Sequence, residues 1–133
     1  EELAEKMRVF GDKVGMAFQI KDDLFDYGTD DIGKPTGNDI KEKKLTLPLI
    51  YTLNNTDKAT RRKLIYILKN ENKDPKKIRE VIEVVKQTGG IDYTQQKMVT
   101  FRDEALAILE EFPNPEVKKA LEELVRFTTD RKF

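Results

Sequence analysis

The sequence contains no cysteine and no histidine among its 133 residues. Without cysteine the chain has no disulfide, no thiolate nucleophile and no cysteine-bound zinc. Without histidine it has neither the commonest general base nor the usual zinc site. A metal held by this chain must therefore be a hard cation with oxygen ligands, and Mg²⁺ is the first candidate.

The sequence also lacks net charge and long hydrophobic runs. Its 25 basic residues balance its 25 acidic residues, and no basic run indicates a nucleic-acid partner. No apolar segment is long enough to span a bilayer, and the N-terminus does not have the features of a signal peptide. We therefore expect a cytoplasmic protein with no transmembrane segment and no nucleic acid among its partners.

Strand alternation and Asn-Gly hairpin signals are missing as well. Apolar residues recur at helical spacing instead, so the predicted fold class is all-α. The length is that of one ordinary domain, residues 1–133. The chain starts on Glu1 inside a helical pattern and without Met, so we expect a fragment of a longer protein.

Six helices are predicted. The first covers residues 2 to about 27 and includes Gly11 and Gly15, for which we expect close packing against a neighbour, because each costs about 1 kcal/mol relative to alanine. Residues 28 to about 45 are predicted to form a loop. The later helices are predicted to begin at Thr46, at Thr56 or Asp57, at Asp74-Pro75 (ending at Gly89-Gly90), near Ile91 (ending near Phe112) and after Pro113-Asn114-Pro115.

Three aspartates, Asp22, Asp23 and Asp26, lie in the last turns of the first predicted helix. Asp22 and Asp26 are four residues apart and share a face, and Gln19 lies one turn earlier. Carboxylates at this spacing repel one another, and the negative end of a helix disfavours them further. A bound divalent cation would reverse both penalties. The alternative is a solvated acidic helix face.

The residues after these aspartates distinguish an EF-hand from a site for a diphosphate. An EF-hand is excluded, because the acids from Asp22 to Asp31 do not alternate as required and no Glu closes the loop. Lys34, Lys43 and Lys44 follow instead, on a backbone rich in glycine. Metals that bridge carboxylate and phosphate oxygens, with lysines nearby, are how proteins hold a diphosphate. The alternative, ordinary surface charge, is the better interpretation for Lys43 alone.

Three motifs follow in order between residues 15 and 48: G-x-x-F-Q-I-x-D-D-x-x-D, then G-K-x-x-G-x-D, then K-x-T-L-P. Together they resemble the second aspartate-rich region of the trans-isoprenyl diphosphate synthase (polyprenyl synthetase) family. The downstream Gly89-Gly90-Ile91, Tyr93 and Pro113 are compatible with that family but are weak signals. The resemblance implies the isoprenoid synthase helical-bundle fold, with this chain as its C-terminal helices.

The resemblance implies a role for each matching charged residue. Asp22 is implied to coordinate Mg²⁺ directly, and Asp23 and Asp26 to act mainly through metal-bound water or behind the direct ligands. Lys34 and Lys44 are implied to contact the diphosphate, so that Asp22 and these two lysines carry the catalysis.

The resemblance also bears on other positions. Gln19 is implied to lie beside the allylic substrate. Phe18 lines the hydrocarbon cavity or packs in the core, and the core is favoured. Asp39 matches a position near the metals, and Lys43 stands where many members have glycine. Arg131 matches a basic residue of the family's C-terminal tail or is a solvated charge.

The implied activity is a prenyl transfer that needs no protein nucleophile. An allylic diphosphate ionises with the help of Mg²⁺, and the double bond of isopentenyl diphosphate attacks the allylic cation. Loss of a proton then completes a five-carbon extension, while metal ions and lysines stabilise the departing diphosphate. The implied partners are the two diphosphates and, for the full-length protein, a second copy in a homodimer.

The chain lacks the first aspartate-rich motif and the isopentenyl diphosphate site, which family members carry upstream. We therefore predict that the fragment alone is inactive and that missing helices leave apolar surface exposed. Two alternatives stay open. One is a terpene cyclase of the same fold, although cyclases usually carry an Asn/Ser/Glu-type second motif. The other is a non-catalytic helical subunit of a heteromeric synthase, although such subunits tend to lose these acids.

Overall fold

A computed structural model describes residues 2–27 and 37–130, except for the side chain of Asp130. These residues form helices and no strand, which confirms the all-α prediction. None of the described helices is both long and apolar enough to cross a membrane. The helices are α1 (Glu2–Phe25), α2 (Asn38–Lys41), α3 (Leu47–Asn54), α4 (Lys58–Asn70), α5 (Pro75–Thr88), α6 (Gly90–Leu109) and α7 (Pro115–Asp130).

The predicted helix starts and stops agree with the structure at most ends. Thr46 precedes α3 and Asp57 precedes α4 as N-cap residues, each with an extended backbone. The Asp74 side chain accepts a hydrogen bond from the Lys76 N–H at 3.0 Å and so caps α5. Gly89 ends α5 with a φ of 91°, a conformation that glycine adopts without steric cost.

Two predicted segments differ from the structure. The fifth predicted helix, from Ile91 to Phe112, begins one residue earlier and ends at Leu109, where a turn takes over. The predicted loop between residues 28 and 45 contains the short helix α2. A helix of four residues is too short to show an apolar period, so sequence spacing could not reveal it.

The described chain divides into two compact units. One consists of the residues up to Lys21 and from Gln96 onward, and the other is Asp22–Gln95. The first unit packs around Phe10, Ala105, Leu109, Phe112 and Val125. The second unit packs around Tyr27, Ile40, Leu49, Leu64, Ile67, Leu68, Ile78, Val81, Ile82 and Val85. That they belong to a single domain of a longer protein stays a prediction.

The two glycines of α1 lie in open space. Gly11 and Gly15 are exposed, and a Cβ atom added at either would meet no described residue within 4 Å. Within residues 2–27 and 37–130, the predicted close packing is therefore wrong. The reason is helix phase, because the buried residues Phe10, Ala17 and Leu24 recur every seven positions on a different face of the helix.

The predicted exposed apolar surface is present. Large hydrophobic side chains between 40% and 61% exposed occur on several helices and in the loop before α3. They are Leu3, Met7, Met16 and Phe18 on α1, Leu45 and Ile50 around the start of α3, Tyr66 on α4, and Val117, Leu124 and Phe127 on α7.

Candidate functional site

The three aspartates at the end of α1 lie in three different environments. Asp22 is exposed, and its carboxylate makes no hydrogen bond or ion pair with any described residue. Asp23 is partly buried, and Asp26 is only 7% exposed. The acidic segment therefore passes from solvent into the protein within about one helical turn, and Asp22 is the carboxylate best placed to take up a cation from solution.

Asp26 connects the end of α1 to the start of α2 through hydrogen bonds. Its Oδ1 accepts a hydrogen bond from the Asn38 N–H at 2.7 Å, and its Oδ2 accepts one from the Asp39 N–H at 3.0 Å. Its backbone carbonyl accepts a third, from the Gly37 N–H at 2.9 Å. Both carboxylate oxygens thus already serve backbone donors at the start of α2. This arrangement fixes Asp39 beside the end of α1.

We call Asp22, Asp23, Asp26 and Asp39 the aspartate site. Burial is the main factor that raises the pKa of Asp23, of Asp26 and of Asp39 above the ordinary value. The other carboxylates of the site raise the pKa of Asp23 and Asp39 further. Hydrogen bonds from backbone N–H groups partly offset the rise in the Asp26 pKa. Negative charge is therefore in excess at this site, and a cation would relieve it.

Lys44 is the lysine that the structure brings to the aspartate site. Its positive charge lowers the pKa of both Asp23 and Asp39, against the effect of burial. Its backbone N–H donates to the Asp39 carbonyl at 2.8 Å, and its side chain is exposed. Lys44 thus lies where it can reach an anion held beside the aspartates. Lys34 and Arg131, the other predicted basic residues, lie outside the described residues.

The donor set fits a magnesium ion that is shared with a ligand. In residues 2–27 and 37–130, no three acidic side chains converge closely enough to hold a metal ion by themselves. Mg²⁺ does not need such a cage, because it is usually held by one or two carboxylates, phosphate oxygens and water. The exposed carboxylate of Asp22, with the carboxylate of Asp23 next to it in the sequence, meets that requirement.

The two predicted substrate-contacting residues of α1 are both exposed. Gln19 lies one turn before Asp22 and Asp23. Phe18 is 40% exposed, so its favoured assignment to the core is wrong. Its helix phase explains this, because Phe18 lies four residues before Asp22 on the same open face. Contact between Phe18 and a hydrocarbon chain stays a prediction.

Lys43 adopts an unusual backbone conformation in the turn after α2. Its φ is 60°, in the left-handed region that non-glycine residues seldom occupy. Only glycine takes up this conformation without a steric cost. The family resemblance implies glycine at this position, which agrees with the left-handed conformation.

Replacing Lys43 by glycine is expected to raise the free energy of unfolding by about 0.5–1 kcal/mol. Relief of about 1–2 kcal/mol of left-handed strain outweighs the added freedom of glycine in the unfolded chain. Urea unfolding followed by circular dichroism measures the change. Lys41→Gly is the matched control, because Lys41 is exposed within α2, and it should lower stability by about 1 kcal/mol. Equal losses of unfolding free energy in Lys43→Gly and Lys41→Gly would contradict backbone strain at Lys43.

Two buried hydroxyl groups lie behind the aspartates and were not foreseen from the sequence. Tyr27 is 1% exposed and Thr46 is 3% exposed, and neither hydroxyl completes a hydrogen bond with a described residue. The Thr46 hydroxyl is nevertheless near enough to oppose the rise in the Tyr27 pKa that burial causes. Two such groups are the kind of site that an internal water bridges.

Sequence comparison relates the chain to prenyl diphosphate synthases. The family model described as polyprenyl synthetase matches residues 1–85. Solanesyl diphosphate synthase 2, chloroplastic, of Arabidopsis thaliana is 34% identical over 131 residues, which cover 97% of this chain and 30% of that protein.

Solved structures show the same relationship. Geranylgeranyl pyrophosphate synthase from Bacteroides thetaiotaomicron has a TM-score of 0.86 and 37% identity, covering 98% of this chain and 43% of that one. Polyprenyl synthase from Caulobacter crescentus CB15, complexed with calcium and isoprenyl diphosphate, has a TM-score of 0.83 and 31% identity, covering 97% of this chain and 40% of that one. The chain thus spans less than half the length of these relatives. The predicted family is confirmed, and the chain belongs to the polyprenyl synthetase family.

Proposed function

We propose that this chain is the C-terminal part of an Mg²⁺-dependent prenyltransferase. The complete enzyme would extend an allylic diphosphate with isopentenyl diphosphate and release diphosphate. One observation carries the proposal: the exposed Asp22 lies beside carboxyls whose pKa values are raised, and Lys44 lies next to the same carboxyls. A site with excess negative charge and an adjacent lysine suits a metal ion bound together with a diphosphate.

Each residue of the site has a distinct task in this proposal. Asp22 would hold Mg²⁺ directly, and Asp23 would orient water on the metal. Asp26 keeps the start of α2 against the end of α1 through the hydrogen bonds described above. Lys44, together with Lys34, would bind the diphosphate oxygens. Mg²⁺, when bound, would supply electrostatic stabilisation of the departing diphosphate.

The open face of α1 would serve the organic part of the substrate. Gln19 and Phe18 are both exposed, one turn before the aspartates. Phe18 would contact the hydrocarbon chain, and Gln19 would lie beside the allylic group. Asp39 would support the metal from the start of α2, where its backbone N–H is held by Asp26.

The relatives support a transferase over a terpene cyclase, and the non-catalytic subunit stays an alternative. The named sequence relative is a diphosphate synthase, and the Caulobacter structure contains calcium and isoprenyl diphosphate. A terpene cyclase would form product from an allylic diphosphate alone, so product analysis of the full-length protein separates the two reactions. A non-catalytic subunit would keep its partner's activity after Asp22→Ala.

Titration calorimetry tests the proposal on this chain. Farnesyl diphosphate is titrated into the protein with Mg²⁺ and, separately, with a chelator. We expect saturable heat that requires Mg²⁺ and an affinity at least about 10-fold lower in Asp22→Ala, since a charged ligand contact is removed. Asp12→Ala is the matched control, because Asp12 is an exposed aspartate of the same helix, and its affinity should equal that of the wild type.

The outcomes distinguish the parts of the proposal. Heat that does not depend on Mg²⁺, or that Asp22→Ala leaves unchanged, would contradict the assigned site. Absence of heat would mean that upstream acids are required for binding, and Asp22→Ala must then abolish turnover in the full-length synthase. We also propose that the isolated chain does not elongate a prenyl chain, which its turnover would disprove. Homodimer formation and a cytoplasmic location stay predictions.

A further inference from the structure

A second feature of the Asp22–Gln95 unit is an apolar pocket with a volume of about 400 Å³. We call it the α3–α4 pocket, because it lies between the loop before α3 and the helices α3 and α4. None of the four carboxylates of the aspartate site lines it. Its lining consists of Lys43, Leu45, Leu53, Ile65, Leu68 and Lys69.

The interior of the α3–α4 pocket is aliphatic. Leu68 is 8% exposed and joins the core of the unit, and Leu53 packs against that core. Leu45 is 59% exposed. A leucine left in water at a pocket entrance is unfavourable, because each square ångström of apolar surface costs roughly 25 cal/mol. An apolar ligand segment would cover this side chain.

Two lysines line the same pocket, and we call Lys43 and Lys69 the rim lysines. Both are exposed, and neither forms an ion pair with a described residue. By contrast, Lys63, which lies on the same helix as Lys69, forms an ion pair with Glu80 of α5. The pocket therefore combines an aliphatic interior with two uncompensated positive charges.

The backbone at Lys43 adds an independent observation. Its φ of 60° carries strain that glycine would not have. Strained non-glycine residues concentrate at ligand-binding positions, where the side chain is needed in spite of the cost. The residue with this strained backbone, Lys43, is one of the two rim lysines.

We propose that the α3–α4 pocket binds an amphipathic anion, with a single apolar chain among the leucines and isoleucine and a phosphate or carboxylate head between the rim lysines. The volume lies within the range of about 300–1,000 Å³ that small-molecule sites occupy. The described lining residues offer no carboxylate to a metal ion, so we expect binding without Mg²⁺. The proposal does not rest on the proposed function and concerns a different set of residues.

Methyl-labelled NMR spectroscopy of the chain tests this proposal. Decyl phosphate is added below its micelle concentration in a buffer with chelator. We expect saturable shifts of the methyl signals of Ile65, Leu53 and Leu68. Lys69→Glu should weaken binding about 5- to 10-fold, since it exchanges attraction for repulsion at a partly exposed charge pair. Asp22→Ala should leave the affinity unchanged, which separates this site from the aspartate site.

The matched control is Lys86→Glu. Lys69 and Lys86 are each an exposed basic residue in the last turn of a helix, α4 and α5 respectively. Both reversals therefore lose the same favourable interaction with the helix dipole, and urea unfolding should show equal stabilities. Only Lys69→Glu should lower the affinity for decyl phosphate. Equal weakening in both variants would overturn the proposal.

Two further arms of the titration identify the source of the anion. Decanoate represents fatty anions, and geranyl diphosphate represents prenyl anions of similar chain length. Tighter saturable binding of either at the same methyl groups supports the proposal and indicates the source. Shifts that do not saturate, that require Mg²⁺, or that arise only with anionic lipid vesicles would overturn it, the last in favour of a membrane-contacting surface.

Discussion

Gly37→Ala is expected to lower the free energy of unfolding by about 2–4 kcal/mol, the sum of left-handed strain and overpacking. Gly37 has a φ of 81°, which strains any residue with a Cβ atom. A Cβ atom at this position would also lie 2.4 Å from Ile78 Cγ2, within the core of the unit. Urea unfolding monitored by circular dichroism measures the loss.

The matched control for this prediction is Gly15→Ala in α1. A Cβ atom there meets no part of the described chain within 4 Å, so alanine should stabilise the helix by up to about 1 kcal/mol. The same chemical change is thus expected to have opposite signs at two positions of one chain. A small effect of Gly37→Ala, comparable in size to that of Gly15→Ala, would show that α2 is not held against Ile78 in this way.

Asp26→Ala is expected to lower the free energy of unfolding by about 2–3 kcal/mol. The change removes two hydrogen bonds to a charged carboxylate, each contributing about 1.5–3 kcal/mol, and part of this gain is already offset by burial of the charge. It leaves the N–H groups of Asn38 and Asp39 without their acceptors. Chemical unfolding gives the loss, and amide hydrogen exchange at Asn38 and Asp39 should speed up.

Asp22→Ala is the control for Asp26→Ala, because it deletes a carboxylate one turn away on the same face. Asp22 is exposed and makes no hydrogen bond or ion pair with a described residue. Its replacement should change stability by less than about 0.5 kcal/mol, while it lowers the affinity of the Mg²⁺-dependent binding proposed above at least about 10-fold. Equal stability losses in the two variants would refute the division into a structural and a metal-binding aspartate.

Asp22 and Asp26 belong to one motif but lie in different environments. The D-D-x-x-D pattern treats its carboxylates as alike, yet Asp22 faces solvent while Asp26 caps α2. Spacing along a helix determines which residues share a face. It does not determine how deeply each lies, because depth depends on what returns to pack against the helix.

Much of the fold followed from the sequence because its signals are local. Apolar residues at helical spacing located the long helices. The residue types at their ends indicated Thr46, Thr56 or Asp57, and Asp74 as N-caps and Gly89-Gly90 as a stop, and the structure has Thr46, Asp57, Asp74 and Gly89 there. Capping depends on backbone groups within a few positions of the side chain. The ordered motifs of residues 15–48 identified the family in the same way, since order and spacing are properties of the sequence alone.

The all-α class, the long helices, the family and the residue types of the aspartate site were thus accessible from the amino-acid sequence. The cap that Asp26 provides to α2, the contact of Gly37 with Ile78, and the exposure of Gly11, Gly15 and Phe18 became known only from the folded chain. The two groups of features depend on interactions of different range. Helix formation is governed by neighbours within one turn, whereas burial and close approach depend on residues that are distant in the chain.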